Sequence, residues 1–128
     1  MNKRGFTLIE VLAAIVLIML ALIPIMVIVP QMIENSLNTQ RLTTVIFLAE
    51  GKMEEVRRDA INNFVSSQDK PVTAFALPYA EYKYTVTDNE GAGIKIIQIR
   101  AWHDKDADNT LDANEQSITI DSKIADRG

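Results

Sequence analysis

The residues best suited to chemistry lie in one short acidic segment, residues 104–115 (DKDADNTLDANE). Its oxygen donors recur at a near-alternating spacing: Asp104, Asp106, Asp108, the carbonyl of Thr110, Asp112 and Glu115. Carboxylates crowded in this way repel one another, and a hard divalent cation with six or more oxygen ligands removes that cost. The smaller octahedral shell of magnesium fits such a loop less well. The segment therefore predicts a calcium site, and the alternative is a solvated acidic turn without a metal.

The spacing resembles the twelve-residue calcium loop of EF-hands, which takes its ligands at positions 1, 3, 5, 7, 9 and 12. Leu111 is apolar at the eighth position, as in such loops. Asn109 stands where the tight turn favours glycine, and asparagine is the side chain that best tolerates a left-handed backbone. Strands rather than helices are predicted on both sides, so the resemblance supports the Glu115 contact least.

A second candidate is Glu10, a lone charge in an apolar run. Residues 6–30 contain 21 apolar residues out of 25, and residues 11–30 carry no charge. A helix of 20 residues is about 30 Å long, the thickness of a bilayer core, and a domain of this size has no interior to surround it. We therefore expect a membrane-inserted helix. A carboxylate there costs on the order of 2.5–3.5 kcal/mol at helix-centre depth, so Glu10 needs a partner unless it reaches the head groups.

The distribution of basic residues predicts how this helix is oriented. Lys3 and Arg4 precede the apolar run, and the next basic residue is Arg41. Positive residues remain on the cytoplasmic side, so the N-terminus is expected in the cytoplasm and the rest of the chain outside. An ordinary secretory signal fits less well, because the apolar run is long and lacks a small-residue cleavage site at its end.

The string from Lys3 to Leu12 (KRGFTLIEVL) resembles the leader and mature start of type IV pilins and type II secretion pseudopilins. The resemblance implies that a membrane-bound prepilin peptidase cleaves after Gly5 and that the new N-terminal residue, Phe6, is N-methylated. It makes residues 1–5 the leader and Glu10 the acid at the fifth mature position. In a bundle of helices Glu10 would neutralise the buried amine of a neighbouring subunit and so set the axial register.

This resemblance also implies the partners and the location of the protein. The partners are prepilin peptidase, other pilins or pseudopilins in a filament, and an inner-membrane assembly platform. The stretch 48–55 (LAEGKMEE) and an isoleucine-rich strand ending at Trp102 resemble a subgroup of minor pilins and minor pseudopilins. Type IV pilus, secretion pseudopilus and competence filament remain open alternatives.

The rest of the chain reads as an α+β protein. Residues 31–67 continue the helix with an apolar stripe at spacings of three and four: Ile46, Ala49, Met53, Val56, Ala60 and Phe64. Residues 68–128 form a β-rich head, with a loop through Pro71, a strand from Tyr82, a turn over 88–93, and strands over 94–102 and 117–124. We expect a long helix, membrane-spanning in its first half and amphipathic in its second, packed on about three antiparallel strands.

Composition excludes several classes of function. The formal net charge is −4, unsuited to neutralising phosphates, so nucleic-acid binding is not expected. The chain has no cysteine and one histidine, His103, which we expect at a strand end, and no catalytic constellation can be placed, so an enzyme is not expected. The alternative to a filament subunit is a calcium-binding or calcium-sensing module held permanently by an uncleaved anchor.

Overall fold

The computed structural model describes residues 5–127 and has an α+β architecture. Its elements are one helix, α1 (Leu8–Asn62), followed by strands β1 (Lys70–Ala74), β2 (Tyr82–Gly91), β3 (Ile94–His103) and β4 (Ser117–Ala125). The strands form one antiparallel sheet in the order β1-β2-β3-β4. The predicted fold class is confirmed, with four strands where about three were expected. The chain divides into two compact units, one ending at Leu37 and the other, here called the head, beginning at Asn38.

The first unit consists of the N-terminal part of α1. It contains an apolar stretch long enough to cross a membrane, and none of that stretch is buried. The helix is continuous from Leu8 to Asn62, and both Pro24 and Pro30 lie inside it. Each proline removes one intrahelical hydrogen bond, which is tolerated in apolar spanning helices.

In the head, one stripe of α1 supplies half of the core. The buried helix residues are Val45, Ala49, Met53, Val56 and Ala60, and Phe64 packs against them. The predicted stripe is confirmed except at its start, where Val45 is buried and Ile46 only half-buried. Ala49 precedes Met53 by four residues and Val45 precedes Ala49 by four more, so the stripe continues through a second spacing of four, whereas strict alternation with three predicted Ile46.

The inward face of the sheet supplies the other half of the core. Its buried apolar residues are Tyr82, Tyr84 and Val86 on β2, Ile97, Ile99 and Ala101 on β3, and Ile124 on β4. They follow the two-residue period predicted for the strands, and the register pairs Val86 with Ile99 and Tyr84 with Ala101. Every buried apolar residue that the structure describes thus lies between Val45 and Ile124, so the head has a core of its own.

Three predicted boundaries were wrong. The helix ends at Asn62 rather than at residue 67, where two asparagines in succession compete with the helical hydrogen bonds. The segment through Pro71 is not only a loop but contains the short edge strand β1, a position that tolerates proline. The predicted turn over 88–93 is shorter, because β2 continues to Gly91 and only Ala92 and Gly93, both with positive φ, form the hairpin turn.

Candidate functional site

The predicted processing site, Gly5 and Phe6, lies just before the N-terminal end of α1 and is exposed. The carbonyl of Thr7 accepts hydrogen bonds from the N–H groups of Glu10 (3.0 Å) and Val11 (3.2 Å), which opens the helix. Phe6 is 83% exposed. A Cβ placed on Gly5 would meet no atom within 4 Å, so no packing within the described residues requires glycine there. A requirement for Gly5 must therefore come from another molecule.

Glu10 lies in the first turn of α1 and is exposed. The unsatisfied N–H groups at a helix start favour an acid there. No ion pair joins Glu10 to a basic side chain within residues 5–127. Lys3 and Arg4, on which the predicted orientation depends, lie outside the described residues.

The acidic loop connects β3 to β4 and gathers part of the predicted ligand set. Asp104, Asp106 and Asp108 each offer a carboxylate oxygen, and these three atoms lie within 4.8 Å of one another. Asp104 follows directly on the last residue of β3, His103, and is buried, whereas Asp106 and Asp108 are exposed. The rigid strand therefore fixes the first carboxylate, and the other two reach it from the loop.

Hydrogen bonds within the loop hold these carboxylates in place. Oδ2 of Asp104 accepts the N–H of Asn109 at 3.1 Å, and Oδ1 of Asp108 accepts the N–H of Thr110 at 2.7 Å. The φ angles of Ala107 (61°) and Asn109 (63°) are positive. The left-handed conformation expected at Asn109 is thus present and brings its N–H toward Asp104.

Two further predicted ligands, the carboxylates of Asp112 and Glu115, do not join this cluster in the structure. Oε1 of Glu115 accepts the N–H of Lys105 at 2.6 Å, and Oε2 accepts the N–H of Asp112 at 3.2 Å. Glu115 therefore links the two ends of the loop. The side chain of Thr110 donates to Asp108 (2.7 Å). Asp112 lies outside the group of converging oxygens.

One oxygen atom of Asp104 has no polar partner among the described residues, and the only ion pair of this carboxylate there is a long one. Asp104 is 4% exposed, and its Oδ1 is buried without a hydrogen-bond partner among the described residues. The nearest cation, Nζ of Lys83, is 4.0 Å from the other oxygen, Oδ2. A buried carboxylate oxygen without a partner costs about 1–3 kcal/mol or more, since the group is charged. An oxygen-binding cation fits this position, because it would satisfy that atom and separate the negative charges.

The charges of the loop also act on one another. Partial desolvation raises the pKa of the Asp106 carboxyl, and the carboxylates of Asp108, Asp112 and Glu115 raise it further. Hydrogen bonds from the side chain and N–H of Thr110 lower the pKa of Asp108. The two pKa values are thus shifted in opposite directions. The surroundings of Asp106 disfavour its charged form, whereas those of Asp108 favour its charged form.

Trp102 was not predicted to belong to this site. It alternates with Gln98 and Arg100 on the face of β3 opposite the helix, yet it is only 2% exposed, and its Nε1 has no partner among the described residues. Its cross-strand neighbour is Lys83, which approaches Asp104. Because Trp102 is two residues from Asp104 and is the only tryptophan in the chain, it is a built-in reporter on the loop.

Comparison with known proteins finds a match for the N-terminal segment. Residues 1–26 match the family described as "Prokaryotic N-terminal methylation motif". No curated protein and no solved structure matches the chain significantly. The matched residues include Gly5, Phe6 and Glu10 and continue into the exposed apolar helix, which agrees with a pilin precursor anchored in the inner membrane. The match covers residues 1–26 of the 128-residue chain, and it supports a likeness of this N-terminal segment to the precursors of type IV pilins and pseudopilins.

Proposed function

We propose that the chain is a structural, non-catalytic subunit of a pilin-type filament, in the class of minor pilins or minor pseudopilins. The observation that carries this proposal is the methylation motif, which leads directly into an unburied apolar helix. An uncovered apolar helix must be covered by lipid before assembly and by other helices after it. The filament is a type IV pilus, a secretion pseudopilus or a competence filament.

Assembly begins with processing. Prepilin peptidase cuts between Gly5 and Phe6 while the helix spans the inner membrane with its N-terminus in the cytoplasm and its head outside. The freed amine of Phe6 is methylated and remains cationic. When an assembly platform transfers the subunit from lipid to the filament, Glu10 of a neighbouring subunit neutralises that amine, because two buried charges are tolerated only as a pair.

Processing is tested by mass spectrometry of the N-terminus. The full chain is produced with an active or an inactivated prepilin peptidase. We expect a chain that begins at methylated Phe6 only with the active enzyme, and Gly5→Leu should prevent cleavage whereas Gly51→Leu, at an open helix position, should not. An intact Met1 in the presence of active peptidase would contradict the proposal and favour the permanently anchored calcium module.

We also propose that the acidic loop binds calcium and so stabilises the head. Asp104, Asp106 and Asp108 form the converging group, and the carbonyl of Thr110, Asp112 and Glu115 are the candidates that complete it. Support comes from the unpartnered oxygen of Asp104 and from a donor set made only of oxygen atoms. Calcium sites outside cells bind with dissociation constants of roughly 10⁻⁴–10⁻³ M, sufficient for a head exposed to millimolar calcium.

Calcium should therefore raise the melting temperature of the head. At ten times the dissociation constant the gain is about 1.4 kcal/mol, equivalent to about 5–10 °C for a domain of this size. Trp102 fluorescence should change at the same calcium concentrations.

Two variants and a second metal distinguish calcium binding at the loop from a general effect of ions on the stability of the head. Asp106→Ala should abolish the calcium increment, Asp59→Ala on the exposed face of α1 should retain it, and equal magnesium should give a smaller one. No shift at millimolar calcium would refute the metal site.

A further inference from the structure

The two edges of the sheet differ in how well they are protected against the addition of a further strand. β1, at one edge, has five residues, contains Pro71, and has an irregular register between Lys70 and Thr73. A short strand, a proline and an irregular register each discourage pairing at an edge. β4, at the other edge, has nine residues without proline or glycine and pairs with β3 in unbroken register from Ser117 to Ala125. β4 therefore presents a long and regular edge.

Hydrogen bonds at the two ends of β4 show which of its backbone groups point away from β3. The N–H of His103 donates to the carbonyl of Gln116 (3.4 Å), and the N–H of Asp126 donates to the carbonyl of Gly93 (2.9 Å). In an antiparallel pair hydrogen-bonded residues alternate with non-hydrogen-bonded ones, so every second residue between Gln116 and Asp126 bonds to β3. The residues between these point their N–H and C=O groups outward, where no hydrogen bond from residues 5–127 reaches them: Ser117, Thr119, Asp121, Lys123 and Ala125.

The apolar layer between the sheet and α1 is incompletely covered beside β4. Ile118 and Ile120, on the inward face of β4, are only half-buried, whereas the residues paired with them on β3 are completely buried. A cavity of about 330 Å³ lies between α1 and the end of β4, and the apolar part of its lining is Ile61, Phe64 and Ile124. One more strand beside β4 would cover both the half-buried isoleucines and this apolar lining.

We propose that an extended segment of a different subunit of the filament pairs with β4 as a fifth strand of the sheet. The inference rests on the proposed filament function and adds to it, because it gives the head a partner contact separate from the helix bundle. The outward N–H and C=O groups of β4 supply the hydrogen bonds, as in other additions of a strand to a sheet edge. The segment has an apolar residue at every second position, because its side chains beside Ile118, Ile120 and Ile124 face α1.

A second copy of this chain does not fit the same edge. Antiparallel pairing of β4 with β4 would point the head parts of the two α1 helices in opposite directions, whereas subunits inserted through one membrane point the same way. Parallel pairing would turn one sheet over and place the polar side chains of Thr119 and Asp121 beside the half-buried isoleucines. The remaining edge of a second copy is β1, which is short and irregular.

A proline at position 119 tests the contact, because the N–H of Thr119 points away from β3. Thr119→Pro removes that donor and obstructs a neighbouring strand, yet it breaks no hydrogen bond to β3, and an edge strand tolerates proline at such a position. In cells that assemble filaments, we expect Thr119→Pro to be processed normally and to enter filaments at least about tenfold less efficiently than Thr119→Ala. Immunoblotting of sheared filaments against the membrane fraction measures the ratio.

Ala74→Pro is the matched control at the other edge of the sheet. The N–H of Phe75 donates to the carbonyl of Tyr82, so the N–H of Ala74, one residue earlier, points away from β2. Ala74 is exposed, and Ala74→Pro should enter filaments as the original chain does. Thermal unfolding of each full-length variant in detergent micelles, followed by Trp102 fluorescence, verifies that the head is folded.

Amide hydrogen exchange of the original chain tests the contact without any substitution. Exchange is read at single-residue resolution by mass spectrometry, in filaments and in detergent micelles. The outward N–H groups of Thr119, Asp121 and Lys123 should exchange at least about tenfold more slowly in filaments. Those of Ile120 and Ser122, which already bond to β3, should be slow in both states. This alternation along β4 is specific to an added strand, because general burial would not select every second amide.

Three results overturn the inference. They are normal entry of a folded Thr119→Pro into filaments, equal exchange of the outward amides in filaments and micelles, and protection of these amides in micelles together with a dimer, which would make a second copy the occupant. Normal entry of Thr119→Pro beside failure of Glu10→Ala contradicts the strand contact alone. A chain that is neither processed nor found in filaments contradicts the proposed function itself.

Discussion

Lys95→Met should destabilise the head by about 3–5 kcal/mol. We expect no other replacement of a single charged residue in the sheet by an apolar one to have a larger effect. Lys95 lies on β3 and is completely buried. Its Nζ is 3.1 Å from Oδ2 of Asp88, itself almost fully buried, and donates a hydrogen bond of 2.8 Å to the carbonyl of Ser66. Removal of the ammonium would leave a buried carboxylate without a counter-charge.

The loss of stability is expected to be large because the ion pair between Lys95 and Asp88 connects several segments of the head. Oδ2 of Asp88 also accepts the N–H of Gln68 (2.8 Å), and the N–H of Asp88 donates to Oδ1 of Asp69. The pair thus joins the β2–β3 hairpin to the chain that leaves α1. Asp88 Oδ1 already lacks a hydrogen-bond partner among the described residues, so the site has no spare donor to replace the lysine.

Urea unfolding of residues 38–128, followed by Trp102 fluorescence, measures this effect. Arg100→Met, on the exposed face of the same strand, should change the free energy of unfolding by less than about 0.5 kcal/mol. The double variant Asp88→Asn with Lys95→Met should be more stable than Lys95→Met alone, because the unpaired charge is gone. Equal losses from Lys95→Met and Arg100→Met would contradict the assignment.

This ion pair was missed from the sequence, although a signal for it was present. Lys95 shares the two-residue period of Ile97 and Ile99, which places it on the inward face. Because a long turn was predicted over 88–93, Asp88 was assigned to that turn and was not recognised as the partner of Lys95. With the two-residue turn that the structure has, Glu90 stands opposite Lys95 and Asp88 lies one diagonal away. Register depends on the turn, and the length of a turn rich in asparagine, aspartate and glycine is not fixed by composition.

The helix and the three long strands were predictable because burial imposes a period on them. Apolar residues at helical and two-residue spacing led to the correct elements in α1, β2, β3 and β4. β1 carries no such pattern, since its side chains are exposed or half-buried and it contains Pro71. An edge strand with one neighbour is stabilised mainly by backbone hydrogen bonds, and these do not impose a recognisable pattern of side-chain types on the sequence.

In the acidic loop, spacing predicted the group Asp104, Asp106 and Asp108 and the left-handed backbone at Asn109. It did not predict where Glu115 would point. The bidentate contact of an EF-hand depends on a helix that carries the last ligand, whereas here Glu115 precedes a strand and accepts N–H groups of the loop. The ligand set and its occupancy by calcium stay predictions for the metal titration.

Glu10→Ala should be processed normally and yet enter filaments at least about 100-fold less efficiently than the original chain. The motif that directs cleavage lies around Gly5 and Phe6, so methylated Phe6 should still be found. In the bundle, however, the amine of a neighbouring subunit would be buried without its counter-charge, which costs about 3–5 kcal/mol. Immunoblotting of sheared filaments against the membrane fraction measures the ratio.

Two further variants separate charge from shape and position. Glu34→Ala removes an exposed acid farther along the same helix and should leave incorporation unchanged. Glu10→Gln keeps the size and one hydrogen-bond acceptor but not the charge, so it should fail almost as severely as Glu10→Ala if the amine needs an anion. Full incorporation of Glu10→Gln would mean that a hydrogen bond is sufficient, and full incorporation of Glu10→Ala would mean that the helices find their register by apolar packing alone.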